Sequence, residues 1–303
     1  MKKVIVSGAA GFLGKALCDK LNSRGINVIA LVRTMSENAL ELKKSCRVIV
    51  CDSADYLSLP ELIEDRDIDA FYYFAWNGSA GELRADANVQ LDNIRAVCDA
   101  IKACKAMDCD TFIFASSIME YEIMAAMETE ATPSINTLYS SAKLAADYFA
   151  RTLAGSLNIS FIKAVISNIY GPGEKSARLI NTSIRKMLNG EHCSFSEGKQ
   201  LYDFIYIDDA VEAFYLLGVK GVNNRAYYIG SMEVQPLRNY LLRLRDTIDP
   251  NIEIGLGELP FNGVSLTYKE FDIFAIQKDT DFSPSVSFEE GIRRTRDYII
   301  SNT

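Results

Sequence analysis

Short apolar, β-branched runs recur along the first half of the chain, at 4–6, 26–32 (INVIALV), 47–50 (RVIV), 69–74 (DAFYYF), 110–115 (DTFIFA) and 159–166 (ISFIKAVI). Between them the apolar residues switch to helical spacing. After the first run, Phe12, Leu13, Ala16, Leu17 and Leu21 fall on one side of a helix. In 83–105, Val89, Ile94, Val97 and Ile101 repeat at the same period, and a second long helix is expected over 137–157. Strands that are apolar almost throughout, alternating with amphipathic helices, predict an α/β fold: a Rossmann-type, doubly wound parallel sheet covered on both faces. In such a sheet the ligand lies outside the C-terminal strand ends.

The rhythm breaks at residue 167. Asn168-Ile169-Tyr170-Gly171-Pro172-Gly173 is rich in turn formers; a helix is expected at 178–189, a strand pair around 193–207, and a helix at 210–218 capped by Asp208 or Asp209. Residues 250–275 read as irregular, and a last helix covers 288–300. The expected division is a dinucleotide-binding domain over 1–166, completed by about 199–222. Residues 167–198 and 223–303 would form most of a smaller α/β substrate lobe on the C-terminal side.

The first run ends in Ser7-Gly8-Ala9-Ala10-Gly11-Phe12-Leu13-Gly14, with glycines at spacings of three. Strand, glycine turn and helix in immediate succession suit a pyrophosphate. The glycines allow close backbone approach, and the helix start offers unpaired N–H groups and a positive dipole end. The spacing differs from the commoner G-x-G-x-x-G.

Composition narrows the picture. The chain has 303 residues, 49% hydrophobic and 24% charged, enough for one large core or a large and a small one. A net charge of −8 without a basic run argues against nucleic acid or an anionic membrane as partner. Seven scattered cysteines lack C-x-x-C spacing, which fits a reducing cytoplasm. Lys2-Lys3 before an apolar run mimics a secretory leader, but the run carries the glycine loop itself, so no signal is expected; no apolar stretch approaches membrane-spanning length. With His192 as the one histidine, histidine triads and multi-histidine metal sites are excluded, and no metal is expected. His192 itself reads as a loop residue.

Acid/base chemistry must then rest elsewhere. Tyr139 and Lys143 stand four apart on one helix face, so an ammonium can sit near a phenol and bring its pKa down from about 10. Ser116-Ser117 close the fifth strand, where a hydroxyl can hold a substrate oxygen.

Glycine loop, strand-end Ser-Ser and Tyr-x-x-x-Lys, in that order, resemble the NAD(P)-dependent epimerase/dehydratase family, the extended short-chain dehydrogenases/reductases. The likeness runs over nearly the whole chain. Asp52, with Ser53 beside it, looks like the family's adenine-contacting acid; Phe74-Ala75-Trp76 stands at its fourth-strand motif under the cofactor, and Asn88 at the asparagine of the next helix. Asn168–Gly173 resembles N-x-Y-G-P, Asp203–Asp209 resembles R-D-F-x-x-V-x-D, and Gly230 fits N-x-G.

The resemblance implies an enzyme acting on a nucleotide sugar and dimerising through helices 83–105 and 137–157. It implies a cofactor site at Gly8, Gly11, Phe12, Leu13, Gly14, Arg33, Asp52, Ser53, Phe74, Ala75, Trp76, Tyr139 and Lys143. Tyr139 would exchange the proton, Lys143 would hold the nicotinamide ribose and lower the phenol pKa, and Ser117 would hold the reacting oxygen. Ser117, Asn168, Arg178 and Tyr202 would face the substrate.

Three departures refine this. The acidic pair that serves dehydratases after the hydroxyl residue is Ile118-Met119, which cannot carry protons. The arginine of the R-D-F stretch, which meets substrate phosphate in relatives, is Tyr202. The second strand ends in Arg33 without an acid, which favours the 2′-phosphate of NADP, with NAD the alternative. The leading expectation is therefore reduction of a 4-keto nucleotide sugar. The alternatives are 4-epimerisation, reduction of a non-sugar carbonyl, and a non-catalytic cofactor-binding protein.

Overall fold

The computed structural model describes residues 1–128, 137–261 and 263–302. Seven strands form one sheet: β1 (Lys3–Ser7), β2 (Asn27–Val32), β3 (Arg47–Val50), β4 (Ala70–Tyr73), β5 (Thr111–Ser117), β6 (Ser160–Ile166) and, after four short strands, β11 (Arg225–Ile229). The order is β11-β6-β5-β4-β1-β2-β3, and every pairing is parallel. The chain reverses its direction of build-out beside β1, which opens a crevice above the β1 and β4 ends.

Helices α1 (Phe12–Ser23) and α8 (Ile207–Lys220) pack together on one face, burying Leu17, Leu21, Phe214 and Leu217 against Val4, Val6 and Tyr72. On the other face, α4 (Ala87–Ala106) and α6 (Leu138–Ser156) cover Ile5, Phe71, Phe112 and Phe161 with Val97, Ile101, Ala146 and Ala150. Small helices α2 (Glu37–Leu42) and α3 (Leu59–Leu62) fill the β2–β4 connections, and α5 (Met119–Glu128) follows β5.

Beyond β6 the chain forms β7 (Asn168–Tyr170), α7 (Leu179–Leu188), β8 (Cys193–Phe195), β9 (Leu201–Tyr202) and β10 (Phe204–Tyr206). After β11 come β12 (Gln235–Pro236), α9 (Leu237–Ile248), β13 (Ile254–Leu256), α10 (Ala275–Thr280) and α11 (Phe288–Ser301). Most of these build the smaller lobe, whose aromatics Tyr170, Phe204, Tyr240 and Phe288 continue the core that lies under α1 and α8, while α10 packs on α8 and β11.

Four local expectations change. The region 193–207 is no hairpin: β8 pairs with β13 and β10 with β7, both parallel, and β9 with β12 antiparallel. Helix 83–105 begins later, because Leu83 and Arg84 lie in a separate 3-10 turn, Glu82–Ala85; Asp86 then caps α4 by accepting from the N–H of Asn88 and Val89. Asp209 does not cap α8 but sits in its first turn, accepting from the N–H groups of Ser285 and Val286 and so pinning the C-terminal segment. β11 is an edge strand of the large sheet although it lies within 223–303. Within 250–275 the described residues hold β13 and the first residue of α10, and Asn262 lies outside the described residues.

Candidate active site

Two adjoining clefts open over the C-terminal strand ends. The first, of about 580 Å³, runs from the glycine loop past the ends of β2, β4 and β5 to Lys143. Gly8, Gly11, Phe12, Leu13, Gly14, Arg33, Ser53, Phe74, Ala75, Trp76, Ser117, Tyr139 and Lys143 all line it. The second, of about 490 Å³, lies towards the smaller lobe and is lined by Asn168, Arg178, Tyr202, Ile118 and Met119 among others. Ser117 and Tyr139 belong to both.

The loop geometry fits a dinucleotide. Gly8 adopts φ +64°, and a Cβ at Gly14 would collide with the Gly8 carbonyl, so the chain can fold tightly under a phosphate only with glycine there. Gly11 caps α1 without a side-chain hydrogen bond, and the first turn carries no acid to compete with an anion. Ser7 Oγ accepts from the N–H of Phe74 and Ala75 at 3.1 and 3.2 Å, fixing the β4 end under the cleft.

Some expected contacts are made otherwise. Asp52 caps a short 3-10 turn, accepting from the Ala54 N–H at 3.0 Å, and lines a neighbouring surface hollow; Cys51 and Ser53 face the cleft on either side of it. Asn88 is exposed at the start of α4. The asparagine that ties the helix to the cleft is Asn93, 3% exposed, which accepts from the Asn77 N–H at 2.9 Å and donates to the Asn77 carbonyl at 2.8 Å. Arg33 stands exposed at the end of β2, donating to Asn77 Oδ1 at 2.6 Å. Arg178, at the N-cap of α7, lines both clefts and lies 3.4 Å from Glu174. Asn168 donates to the Asp203 carbonyl at 3.1 Å, and Tyr202 stacks on Phe204. His192 is exposed beside Glu258, as a loop residue would be.

Around the phenol the arrangement differs from that expected of a Tyr-x-x-x-Lys pair. Lys143 Nζ donates to the Ala115 carbonyl at 2.8 Å and sits 3.8 Å from the Trp76 ring centre. Burial pulls its pKa down to about 7, against the opposing pull of Glu120. Tyr139 packs edge-on to Trp76 at 6.0 Å. Burial pushes its phenol up, while the Arg84 guanidinium and a hydrogen bond with Ser117 pull it down. Sequence reasoning missed Arg84, because the spacing placed it inside a helix. Ser79, which lines both clefts, was missed too; nothing in a loop serine marks it.

Just beneath, Lys163 donates at 2.7 Å to both Glu120 Oε2 and Asp147 Oδ2, and Ser116 Oγ donates to Glu120. This buried network joins β5, β6, α5 and α6 directly under Ser117. Among the described residues no His, Cys, Asp and Glu cluster suits a metal ion, and no helix is long and apolar enough to cross a membrane.

A glycine turn under a parallel sheet's switch point, with a serine, a tyrosine and a lysine converging beyond it, defines a dinucleotide-dependent α/β enzyme. The model of the NAD dependent epimerase/dehydratase family matches residues 4–230, and the chain belongs to that family. It is 28% identical over 261 residues to CDP-abequose synthase of Salmonella typhimurium, covering 82% of this chain and 81% of that one. It is 26% identical to dTDP-glucose 4,6-dehydratase of Xanthomonas campestris, covering 98% and 93%. Among solved structures, UDP-glucose 4-epimerase from Thermotoga maritima with UDP-glucose superposes with a TM-score of 0.80 at 20% identity, over 99% of both chains. UDP-glucuronic acid 4-epimerase from Bacillus cereus in complex with NAD gives 0.78 at 21% identity, again over 99% of both.

Proposed function

We propose that this protein reduces a 4-keto nucleotide sugar with NADPH. Tyr139 gives the proton to the carbonyl oxygen, Ser117 holds that oxygen, and Lys143 holds the nicotinamide ribose. The observation that carries the reading is the position of Ser117 and Tyr139 on the shared wall of the two clefts, between cofactor side and sugar side. The nicotinamide supplies the hydride. Tyr139 closes the charge balance by protonating the oxygen as the carbon is reduced.

Reduction is favoured over dehydration because Ile118 and Met119 occupy the pocket wall after Ser117 and carry no proton. NADPH is favoured by Arg33, whose guanidinium lines the cofactor cleft at the β2 end. Arg178 is the cation shared by both clefts and would meet the sugar's diphosphate, with Asn168 and Tyr202 lining the sugar-side cleft. The curated relative named a CDP-abequose synthase supports a nucleotide-sugar substrate. Seven unpaired cysteines support a reducing, cytoplasmic setting.

A homodimer is part of this reading. The regularly spaced apolar residues Val97 and Ile101 are buried within the subunit, so the surface left for a partner is Leu91 on α4 with Tyr148 and Phe149 on α6, 58–62% exposed. Sedimentation should show a dimer that Phe149→Glu dissociates.

The test is a panel of nucleotide sugars and their 4-keto forms with purified protein and NADPH. One NADPH oxidised per product formed is expected, and Tyr139→Phe should lower turnover by roughly 10²–10⁴. Conversion with no net cofactor consumption would replace reduction by 4-epimerisation, which uses the same residues. Full activity in Tyr139→Phe would remove the proposed proton donor.

A further inference from the structure

The cation that lies on the Tyr139 ring comes from a distant loop. Arg84 places its guanidinium carbon 4.1 Å from the ring centre and lines the sugar-side pocket together with Tyr139 and Ser117. Its position is held from several sides. Arg84 Nη1 donates to the Ser79 carbonyl at 3.0 Å. Gln90 Nε2 donates to the carbonyl of the preceding Leu83 at 3.0 Å, while Gln90 Oε1 accepts from Trp76 Nε1 at 3.0 Å. The Trp76 and Tyr139 rings in turn meet nearly at right angles. Arg84, Leu83, Gln90, Trp76 and Tyr139 therefore form a closed ring of contacts linking the β4–α4 connection to α6.

A cation over an aromatic face is attracted to the electron density of the ring. A phenolate spreads part of its negative charge into that ring, so the attraction is stronger after the proton leaves than before. An interaction that favours one protonation state displaces the equilibrium towards it. Lys143 is engaged instead by the Ala115 carbonyl and the Trp76 face.

We propose that Arg84 is a positioning residue for proton transfer at Tyr139, its guanidinium stabilising the phenolate through the ring face. This rests on the reading of Tyr139 as the proton donor and adds a second residue through which that donor is tuned. The other groups acting on the phenol are Ser117 from β5, Arg178 from the start of α7 and Glu120 from α5, the last opposing ionisation. Arg84 also faces Glu122 of α5, a half-buried carboxyl pushed up to about 7 by burial against the pull of Arg84. Neutral Glu122 leaves the guanidinium charge fully available to the phenol, and its ionisation above neutrality offsets part of it.

The experiment reads the phenol itself and needs no substrate. A 3,5-difluorotyrosine placed at 139 in the full chain lowers the titration into an accessible range, and its fluorine resonance reports the midpoint. In Arg84→Met the midpoint should rise by about one pH unit, and Arg84→Lys should recover part of that shift. An unchanged midpoint in a folded Arg84→Met protein would overturn the proposal. If Arg84→Met disturbs folding, an Arg84→Lys midpoint identical to that of Arg84→Gln would overturn it equally. Failure of the underlying reading is separate: it shows as undiminished turnover in Tyr139→Phe, whatever the fluorine midpoint does.

Discussion

Two lysines lie in the interior, each 5% exposed, and they are treated in opposite ways. Lys163, in the middle of β6, is clamped between Glu120 and Asp147. Burial alone would depress its amine, but the two carboxylates outweigh that and hold its pKa above the ordinary lysine value. Lys143, on α6, hydrogen-bonds a backbone carbonyl and faces an aromatic ring, and burial brings its pKa down to about 7. The first is a closed network with its charge satisfied inside the subunit. The second keeps its hydrogen-bonding capacity directed into a cleft. A buried charge without a charge partner is costly to folding, and such sites are where binding and catalytic groups concentrate.

Removing each lysine tests the contrast most severely. Lys163→Met strands two carboxyl groups in the core and should cost about 3–5 kcal/mol in urea denaturation. Lys143→Met replaces an amine whose ammonium form is costly to bury with an apolar chain of similar length, and should leave stability unchanged or raised. Equal losses would erase the distinction.

Cofactor affinity should show the reverse ranking. In fluorescence titration, Lys143→Met should weaken NADPH binding roughly ten- to a hundredfold, the worth of one charge-assisted hydrogen bond, whereas Lys163→Arg should bind it like the parent. Arg33→Ala should narrow the preference for NADPH over NADH by a similar factor; equal binding of both by the parent would move weight to NAD.

The pH dependence sharpens the comparison further. Lys143 has a lower pKa folded (about 7) than unfolded (10.5), so between these values the unfolded chain holds more protons. Its contribution to stability therefore rises as pH increases above about 7, and below that the full cost of burying the ammonium is present. The difference in urea midpoint between parent and Lys143→Met should fall over that window. Lys163 is shifted upwards, so its contribution is complete across the neutral range and is lost only at pH above its ordinary 10.5. Parent and Lys163→Arg should run parallel near neutrality.

The smallest effect belongs to Arg151. It reaches Asp147 at 3.3 Å from a side chain 40% exposed, so Arg151→Ala should cost only about 0–1 kcal/mol. A loss like that of Lys163→Met would make Arg151 an integral part of the buried network.

Most of the sheet was legible because its strands are short, apolar and separated by amphipathic helices, a pattern carried by neighbours in sequence. β5 and β6 fall at the expected places, and α6 opens just before Tyr139. The small lobe was less legible. β8, β9 and β10 are two or three residues long, and their partners lie 33 to 61 positions away for matched residues such as Gln235 with Tyr202 and Ile254 with Cys193. Runs that short carry little periodicity. Asn88 against Asn93 shows the same limit within one helix, since only the packing of α4 decides which asparagine is buried against the Asn77 backbone.

What the sequence by itself determined is the glycine turn at Gly8–Gly14, the one-turn spacing of Tyr139 and Lys143, the serines ending β5, and the lack of histidine chemistry. Each depends on residue type and local geometry. Only the tertiary structure decided which cation meets the phenol, which asparagine holds the β4 loop, and that Lys163 is paired while Lys143 is not. Arg84 reaches Tyr139 across 55 positions of chain, and Lys163 reaches Glu120 across 43. The energy of a charge depends on what surrounds it in space, and that is set only when the sheet has brought distant segments together.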